Sequence, residues 1–425
     1  MERRLNAELW DKMHYLFRDF NDRMVHVELN YDFVPDIDAL KTVIICALEK
    51  VPVLHSKFVD TKLSTHWEIM SYDIDDVLTV AYPENVQEAV DEFLTQYIAP
   101  ESHIQMKLAL FIKDGKSTLC MVENHMCMDG GDLKYFLKAF CENYSEYVMN
   151  GKSPIEFRTG SRAYNEVYSG FSQTESNVAQ RLFKNINSKD KHKFPLTPNH
   201  IIDKSFIARR KFNEDILAKL KAKGKEMGAT VNEMLLASYF YSVYELAGFP
   251  ASDKLMISSA IDLRRHMDSV EDKGFTNHTS WMQCAIPERG RDIFETVKYV
   301  VRSSNKFKKD KYMGLYGLPL LNLGYNIMPH AASEEIIKIG YSNPYMAMSN
   351  IGILKGADFA LAGNEPSDAF MSGAVKYKPF VLLTATTYKN VITLSMCVRG
   401  NDKDKEIVEK FFDLMEKNIN VLIGK

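Results

Sequence analysis

The stretch VENHMCMDGGDLKYFLKAF, residues 122–140, places a histidine and an aspartate directly before two glycines and an amphipathic run. The preceding residues, STLCMVEN (117–124), are almost continuously apolar, which is typical of a strand buried on both faces. His125 is therefore predicted to lie just after a buried strand and just before a helix. The apolar residues that recur at helical spacing after the glycines are Leu133, Phe136, Leu137, Phe140, Tyr144 and Tyr147.

The same order of elements is predicted twice in the chain. Upstream of His125, apolar residues alternate from Ile104 to Ile112, and the Asp114-Gly115 turn then joins this strand to the next. Near the other end, FVLLTATTYKNVITLSMCVRG (380–400) indicates two strands joined at Lys389-Asn390, followed by a further helix. This recurrence indicates two related halves, or a chance repetition of a common arrangement. In the second copy Arg399 stands near the place of His125.

Length and composition predict a folded chain with two parts. The chain has 425 residues, of which 46% are hydrophobic and 26% charged, whereas one core rarely grows past about 250–300 residues. We predict an α/β fold (an α+β sandwich) with an N-terminal subdomain at 1–160, a linker at 161–200 and a C-terminal subdomain at 201–425. The linker is predicted where turn formers and charges dilute the apolar pattern. In the second part, Thr230 and Glu233 form a capping box and Gly248 ends the helix.

Charge, hydropathy and cysteine spacing exclude several classes of function. A net charge of −3 gives no sign of a nucleic-acid partner. The chain has no run of the eighteen or so apolar residues that a membrane span needs. Its six cysteines form no CxxC pair and its histidines no HExxH pair, so we expect neither a zinc site nor any other metal. A reduced, cytoplasmic protein is the expected setting.

The residues around His125 are compatible with a polar turn or with an active-site base. Strand ends that lead through glycines into a helix are where α/β sheets often place reactive groups. Asp129 could cap the helix, orient His125 or pair with an arginine. Cys127 is the nearest nucleophile, but the turn need not bring it to face His125, and we interpret it as packing. Without a GxSxG elbow, a phosphate loop or GxGxxG, the motif fits direct acyl transfer assisted by a base.

Several motifs, in order, resemble those of a known superfamily. NHMCMDGG (124–131) resembles the HHxxxDG motif of the chloramphenicol acetyltransferase-like, CoA-dependent acyltransferases, which include condensation domains and alcohol acetyltransferases. LEKVPVLHSKF (48–58) and GATVNEMLLASYFYSVYELAG (228–248) are similar to its early helix-to-strand step and its Ala-Thr-x-Asn helix. SSAIDLRRHM (258–267) and MSNIGIL (348–354) resemble its Asn-Leu-Arg strand and its Ser-Asn-x-Gly segment. The chain departs from the motif at its first histidine, which is Asn124 here, and Asp262 replaces the asparagine of Asn-Leu-Arg.

The resemblance implies a fold and a role for each matched residue. It implies two chloramphenicol-acetyltransferase-like subdomains, arranged as a pseudo-dimer around a tunnel. His125 would be the general base, Asp129 would brace the turn by pairing with Arg264 or Arg265, and Gly130 would leave room for the thioester. The candidate contacts to substrate or oxyanion are Asn350, Ser349 and Asn124.

The resemblance also implies the reaction class. We expect acyl transfer from acyl-CoA, or from the phosphopantetheine of a carrier protein acting in trans, to a small-molecule alcohol or amine, without a tightly bound cofactor or an acyl-enzyme. The alternatives are a stand-alone, amide-forming condensation module and a catalytically degenerate binding protein. The basic stretch RSSNKFKKDK (302–311) would meet CoA phosphates or an acidic carrier surface, or form a solvated helix face.

Overall fold

The structure is a computed structural model that describes residues 4–152, 157–183 and 190–425. Residues 184–189 of the predicted linker therefore lie outside the described residues. The strands are β1 (Arg4–Asn6), β2 (Met24–Tyr31), β3 (Ser56–Asp60), β4 (Thr65–Ile69), β5 (Leu78–Ala81), β6 (Met106–Lys113), β7 (Lys116–Asn124), β8 (Lys204–Lys211), β9 (Leu255–Asp262), β10 (Thr279–Ile286), β11 (Met346–Leu354), β12 (Asp368–Ser372), β13 (Lys376–Tyr377), β14 (Val381–Tyr388) and β15 (Val391–Gly400). The helices are α1 (Leu9–Leu16), α2 (Ile37–Lys50), α3 (Ile74–Val77), α4 (Val86–Leu94), α5 (Gly130–Asn150), α6 (Gln173–Ala179), α7 (Asp215–Met227), α8 (Val231–Ala247), α9 (Ile293–Lys308), α10 (Leu318–Ile327), α11 (His330–Gly340) and α12 (Asp402–Leu422).

The first large sheet has the strand order β12-β2-β7-β6-β5. The central strand β7 is buried on both faces, as its apolar run predicted. Leu119 and Met121 belong to a core that also contains buried residues of α2 and α5. Cys120 and Val122, on the opposite face, pack in a second core with residues of α4. Because β7 is held from both sides, the position of its end at Asn124 is well defined, and His125 follows directly.

The second large sheet has the order β10-β9-β11-β14-β15-β13, with β8 paired to β15. Its core includes buried residues of α7, α8, α9 and α12. The predicted capping box of Thr230 and Glu233 is present at the start of α8, and Gly248 ends that helix in the left-handed conformation. A small separate sheet, β1-β4-β3, completes the strand pairing.

The two halves contain the predicted recurrence of strand, turn, strand and helix. In the first half β6, β7 and α5 follow one another, and in the second half β14, β15 and α12 do so. Both hairpin turns have two residues with positive φ, at 51° and 74° for Asp114-Gly115 and at 45° and 67° for Lys389-Asn390. Both helices are 21 residues long and begin after a capping side chain, Asp129 in one case and Asn401 in the other. The predicted α/β fold is confirmed.

The C-terminal half contributes a strand to the first sheet. Strand β12 pairs antiparallel with β2, from Asp368 opposite Asn30 to Ser372 opposite His26. Leu354, Phe359 and Leu361, which lead to this strand, lie in the first core. A division of the chain at residue 200 therefore does not describe the sheets, because the chain returns to the first half after β11 and leaves it again before β13. Among the described residues, no helix is long and apolar enough to cross a membrane.

Candidate active site

His125 lies in a tight turn between the end of β7 and the start of α5. Its backbone N–H donates to the carbonyl of Arg23 at 2.7 Å, and the N–H of Cys127 donates to the carbonyl of Asn124 at 2.8 Å. Asp129 ends the turn as the N-cap of α5, and its Oδ1 accepts hydrogen bonds from the N–H groups of Gly131 and Asp132, both at 2.9 Å. These contacts fix both ends of the turn, so the backbone of His125 has little freedom.

Asn277 fixes the ring of His125 from the other half of the chain. The Nδ2 of Asn277 donates to the backbone carbonyl of His125 at 2.7 Å, which assigns the orientation of the amide. The Oδ1 of Asn277 lies 2.8 Å from Nδ1 of His125 and can only accept. A neutral His125 therefore carries its proton on Nδ1. Its Nε2 has a free lone pair, and no described residue forms a hydrogen bond with Nε2.

A second histidine stacks on the first. The rings of His14 and His125 are 4.3 Å apart between centroids and inclined by 20°. Burial lowers the pKa of both imidazoles, well below the usual value for His14, because it disfavours their charged forms. For His125, the charge of Asp129 and hydrogen bonds to its own carbonyl and to Asn277 oppose this effect. At neutral pH His125 is therefore unprotonated and able to accept a proton.

Asp129 pairs with Arg264 and forms no hydrogen bond with His125. The Oδ1 of Asp129 is 2.9 Å from Nη2 of Arg264, and its Oδ2 is 3.2 Å from Nη1. Burial alone would raise the pKa of Asp129, but the Arg264 charge and the hydrogen bonds hold that pKa far below its usual range. Oδ2 also accepts from the N–H of His278 at 2.7 Å and from the hydroxyl of Thr279 at 2.9 Å. The carboxylate therefore joins the His125 turn to β10 in the other half.

Arg264 is buried in an acidic cluster, whereas Arg265 is exposed. Arg264 contacts Asp132 at 3.0 Å and Asp262 at 3.1 Å in addition to Asp129. Arg265 has its Nη1 4.0 Å from the sulfur of Met313. Of the two arginines offered by the sequence, Arg264 is thus the one in contact with Asp129.

The two glycines of the motif have different surroundings. A Cβ added at Gly130 would meet no atom within 4 Å, and Gly130 lines the cavity described below. A Cβ added at Gly131 would lie 2.8 Å from Nη1 of Arg264 and 3.1 Å from Oδ1 of Asp129. Both glycines line the cavity, but packing against Arg264 and Asp129 favours glycine at 131, whereas a Cβ at 130 would enter open space.

A cavity of about 260 Å³ opens in front of His125. The first half of the chain contributes His14, His125, Gly130 and Lys134, and the second half contributes Ala260, Trp281, Leu382 and others. Much of the lining is apolar, which is common in small-molecule sites. The cavity thus lies where the two halves meet, with His125 in its wall.

The three predicted substrate-contact residues differ in whether they line the cavity. Ser349 and Asn350 line the cavity. The Oδ1 of Asn350 accepts from the N–H of Gly352 at 2.9 Å, and its Nδ2 donates to Asn232 at 3.2 Å, so one N–H of the amide is left for a ligand. Asn124 is fully buried and outside the lining. It donates to Gln105 at 2.7 Å and accepts from the N–H of Met126 at 3.1 Å, so both ends of its amide brace the turn.

Cys127 has the properties of a packing residue. It is fully buried, and its thiol points toward the carbonyl of Val53 at 3.8 Å. Burial raises its pKa well above the usual value, so the thiolate is disfavoured.

Among the described residues, one group of side chains has a spacing that could hold a metal ion. Ligand atoms of Asp60, His330 and Glu334 lie within 4.8 Å of one another. Glu334 already pairs with Arg18 at 2.5 Å and with Lys338 at 3.2 Å, and a cation would have to compete with both. His330 does not line the cavity, so this cluster is an ion-pair network apart from His125.

The sequence predictions did not include three residues at or beside the cavity, namely Asn277, Lys376 and His14. Asn277 lies in the polar run TNHTS (276–280), which has no periodicity, and Lys376 has no local motif. His14 did leave a signal, because it shares one helical face with Trp10, Met13 and Phe17, and a lone histidine on an apolar face is unusual.

Together, the sheets and the paired halves form a fold that solved structures of an acetyltransferase and of condensation domains share, as the sequence motifs indicated. The structure of polyketide synthase associated protein 5 from Mycobacterium tuberculosis is similar, with a TM-score of 0.67, 15% identity and 96% of each chain covered. So is the trichothecene 15-O-acetyltransferase from Fusarium sporotrichioides, with a TM-score of 0.69, 10% identity, and 97% of this chain and 94% of that one covered. The starter condensation domain of rhizomide synthetase, in complex with C8-CoA, matches with a TM-score of 0.66, 9% identity, and coverage of 98% and 94%. No family model and no curated protein matches the sequence.

Proposed function

We propose that the chain is an acyltransferase that moves an acyl group from a thioester donor to an alcohol or amine. The observation that carries this proposal is the hydrogen bond between His125 Nδ1 and Asn277. It leaves Nε2 as a neutral, lone-pair-bearing nitrogen in the wall of a cavity. The fold is shared with an acetyltransferase and with a condensation domain in complex with C8-CoA, which supports acyl-CoA or acyl-phosphopantetheine as donor.

In the proposed reaction, the acceptor attacks the thioester carbon while Nε2 of His125 takes the proton from its hydroxyl or amine. The tetrahedral oxyanion then collapses, the carbon–sulfur bond breaks, and the imidazolium returns the proton to the leaving thiolate. Ser349 and the remaining N–H of Asn350 are the proposed donors to the oxyanion. No acyl-enzyme forms, because Cys127 is buried and its raised pKa keeps it protonated.

Asp129 acts on this chemistry only through structure. Its carboxylate is saturated by Arg264, by backbone N–H groups and by Thr279, and it forms no hydrogen bond with His125. We therefore assign it as a positioning residue that holds the turn. The cavity would be the central part of a tunnel through which donor and acceptor reach His125.

A screen of thiol release tests the proposal. A panel of acyl-CoA and acyl-N-acetylcysteamine thioesters is combined with small alcohols and amines, using wild type, His125→Ala and His103→Ala. His103 is the matched control because it is exposed and pairs with Asp76 at the surface. We expect His125→Ala to lower the rate about 10²- to 10⁴-fold, and His103→Ala to leave it unchanged.

The same screen separates the alternatives. Turnover with amines alone would favour an amide-forming condensation module, for which the condensation-domain neighbour is the supporting observation. Equal turnover by wild type and His125→Ala, or an acylated protein by intact mass, would contradict the mechanism. Thioester binding without turnover by the wild type would favour a binding protein of the same fold.

A further inference from the structure

Lys376 lies in the wall of the cavity that contains His125. It is the first residue of β13, which pairs with β15, and it is half-buried. Together with burial, which is the larger cause, its ammonium charge contributes to the lowered pKa of both His14 and His125. The proposed reaction does not use this lysine, and a cation next to the base opposes formation of an imidazolium.

The charge of Lys376 is not neutralised by a paired side chain. In the part of the chain that the structure describes, no hydrogen bond or salt bridge joins its ammonium to another residue. The acidic group that acts on it most strongly is Asp22. The Oδ1 of Asp22 accepts from the N–H groups of Met24 and Val375 at 2.9 Å and 3.0 Å. Burial raises the pKa of Asp22 to about 7, so it is an incomplete counter-ion.

The surroundings of Lys376 make an anionic ligand the natural partner. A buried charge is costly unless it is paired. The other lysine of the lining, Lys134, already donates to the carbonyl of Ile351 at 2.8 Å. Arg23 is fully buried and lies outside the lining, where it donates to the hydroxyl of Tyr97 at 2.7 Å. Arg264, also in the lining, is paired with three aspartates, so Lys376 is the cation of the lining whose charged group makes no hydrogen bond or ion pair with a described residue.

The rest of the lining indicates what else the occupant carries. Apolar side chains of α1 and α10 face the same space, together with Phe17 after α1: Trp10, Met13, Phe17, Leu318 and Leu321. One unpaired ammonium suits a singly charged carboxylate better than a phosphate, which usually binds several cationic and backbone N–H groups.

We propose that Lys376 forms a carboxylate subsite, so that one substrate of the transfer reaction is an acid with an apolar body. This inference rests on the proposed function in that the occupant is a substrate of the same site. The carboxylate can belong to the acceptor, as in a hydroxy or amino acid, or to the far end of the donor acyl chain. In both cases the ammonium of Lys376 binds the carboxylate and thereby reduces its own effect on His125.

A binding experiment tests the subsite independently of turnover. Hexanoate and the neutral hexanamide are titrated into the full chain by calorimetry at pH 7, using wild type, Lys376→Met, Lys376→Arg and Lys134→Met. We expect wild type to bind hexanoate at least tenfold more tightly than hexanamide, which is the low end for a hydrogen bond to a charged group. Lys376→Met should lose this preference, while Lys376→Arg and the matched control Lys134→Met should keep it. Denaturant unfolding checks the fold of each variant, and Lys376→Met should be no less stable than wild type because it removes a poorly paired buried charge.

Turnover then identifies the source of the carboxylate. Succinyl-CoA and glutaryl-CoA are compared with neutral acyl-CoAs, and hydroxy and amino acids with their methyl esters. In one of these two series, Lys376→Met should raise the KM of the acidic substrate about 10- to 100-fold. The KM of the matching neutral substrate should stay unchanged. Transfer between neutral substrates, with equal binding of hexanoate and hexanamide by wild type, would overturn the subsite and leave the acyltransferase proposal standing. A Lys376-dependent preference for hexanoate without any transfer would keep the subsite and overturn the acyltransferase.

Discussion

Replacing Asn277 tests whether this residue sets the protonation state of His125. The side chain makes two contacts with His125, one to Nδ1 at 2.8 Å and one to the backbone carbonyl at 2.7 Å. Asn277→Leu removes both and keeps a similar volume. Asn277→Asp keeps an acceptor at Nδ1 and adds a negative charge.

The size of the effect follows from the change in His125 during the reaction. A neutral hydrogen bond contributes about 0.5–1.5 kcal/mol, and one to a charged group about 1.5–3 kcal/mol. Because His125 becomes an imidazolium as it takes the proton, the Asn277 bond strengthens in the transition state. Losing that bond, together with control of the tautomer, should cost about 1.4–2.7 kcal/mol, which is a fall in kcat/KM of about 10- to 100-fold.

The pH dependence gives a second readout with a definite sign. Burial lowers the pKa of His125, and only the neutral ring can act as base, so the rising limb of kcat/KM in wild type should lie below pH 6.5. The bond to Asn277 favours the protonated ring, so Asn277→Leu should move the limb to lower pH. Asn277→Asp should move it to higher pH. An NMR titration of the His125 ring, assigned with His125→Ala, measures the same pKa without a substrate.

Asn418→Ala is the matched control for this experiment. Asn418 is a buried amide in α12 that donates to Ser242 at 2.9 Å, away from the cavity lining. Its loss should lower stability and leave the pH profile in place. An Asn277→Leu protein with wild-type kcat/KM and an unmoved limb would refute the role assigned to Asn277.

The remaining predictions concern the turn itself. Asp129→Asn keeps a helix cap but loses the charge that pairs with Arg264, so urea unfolding should show a loss of about 3 kcal/mol; a loss below about 1 kcal/mol would contradict the buried pair. Because the folded pKa of Asp129 is lowered, this stabilisation is complete above the unfolded value of about 4 and is lost as the pH falls below it. Gly131→Ala should lower the free energy of unfolding by about 1–3 kcal/mol, because the added Cβ meets Arg264. Gly130→Ala should leave the free energy of unfolding unchanged and slow turnover. Equal unfolding midpoints for the two variants would argue against the close contact at 131. Cys127→Ala should keep thiol release within a few-fold of wild type, and complete inactivity of a folded variant would restore the cysteine as a candidate nucleophile.

Much of the fold was predictable because the patterns are local. The apolar run before His125 specified a strand buried on both faces, and β7 ends at Asn124 with Leu119 and Val122 in different cores. Spacings of three and four specified α5, which begins at Gly130. Asp-Gly and Lys-Asn dipeptides specified the two hairpin turns through their tolerance of positive φ.

The contacts that orient the base were not predictable from such patterns. Asn277 and His125 are 152 residues apart, and no periodicity links a loop residue to a distant ring. The crossing of β12 into the first sheet was missed for the same reason, because a short strand of five residues carries no sign of which edge it joins. The motif predicted that Asn124 contacts substrate or oxyanion. In the structure the amide of Asn124 instead donates to Gln105, a contact that the local sequence does not reveal.

The dependence of His125 on Asn277 and Arg264 has a consequence for the newly made protein. A chain leaving the ribosome exposes the histidine long before it contains either partner. At about 5–20 residues per second, the 152 residues to Asn277 take roughly 8–30 s to synthesise. During that interval the histidine has neither a fixed tautomer nor an opposing cavity wall. If the proposed reaction holds, the growing polypeptide is expected to be inert toward thioesters until its later half has folded onto the earlier one.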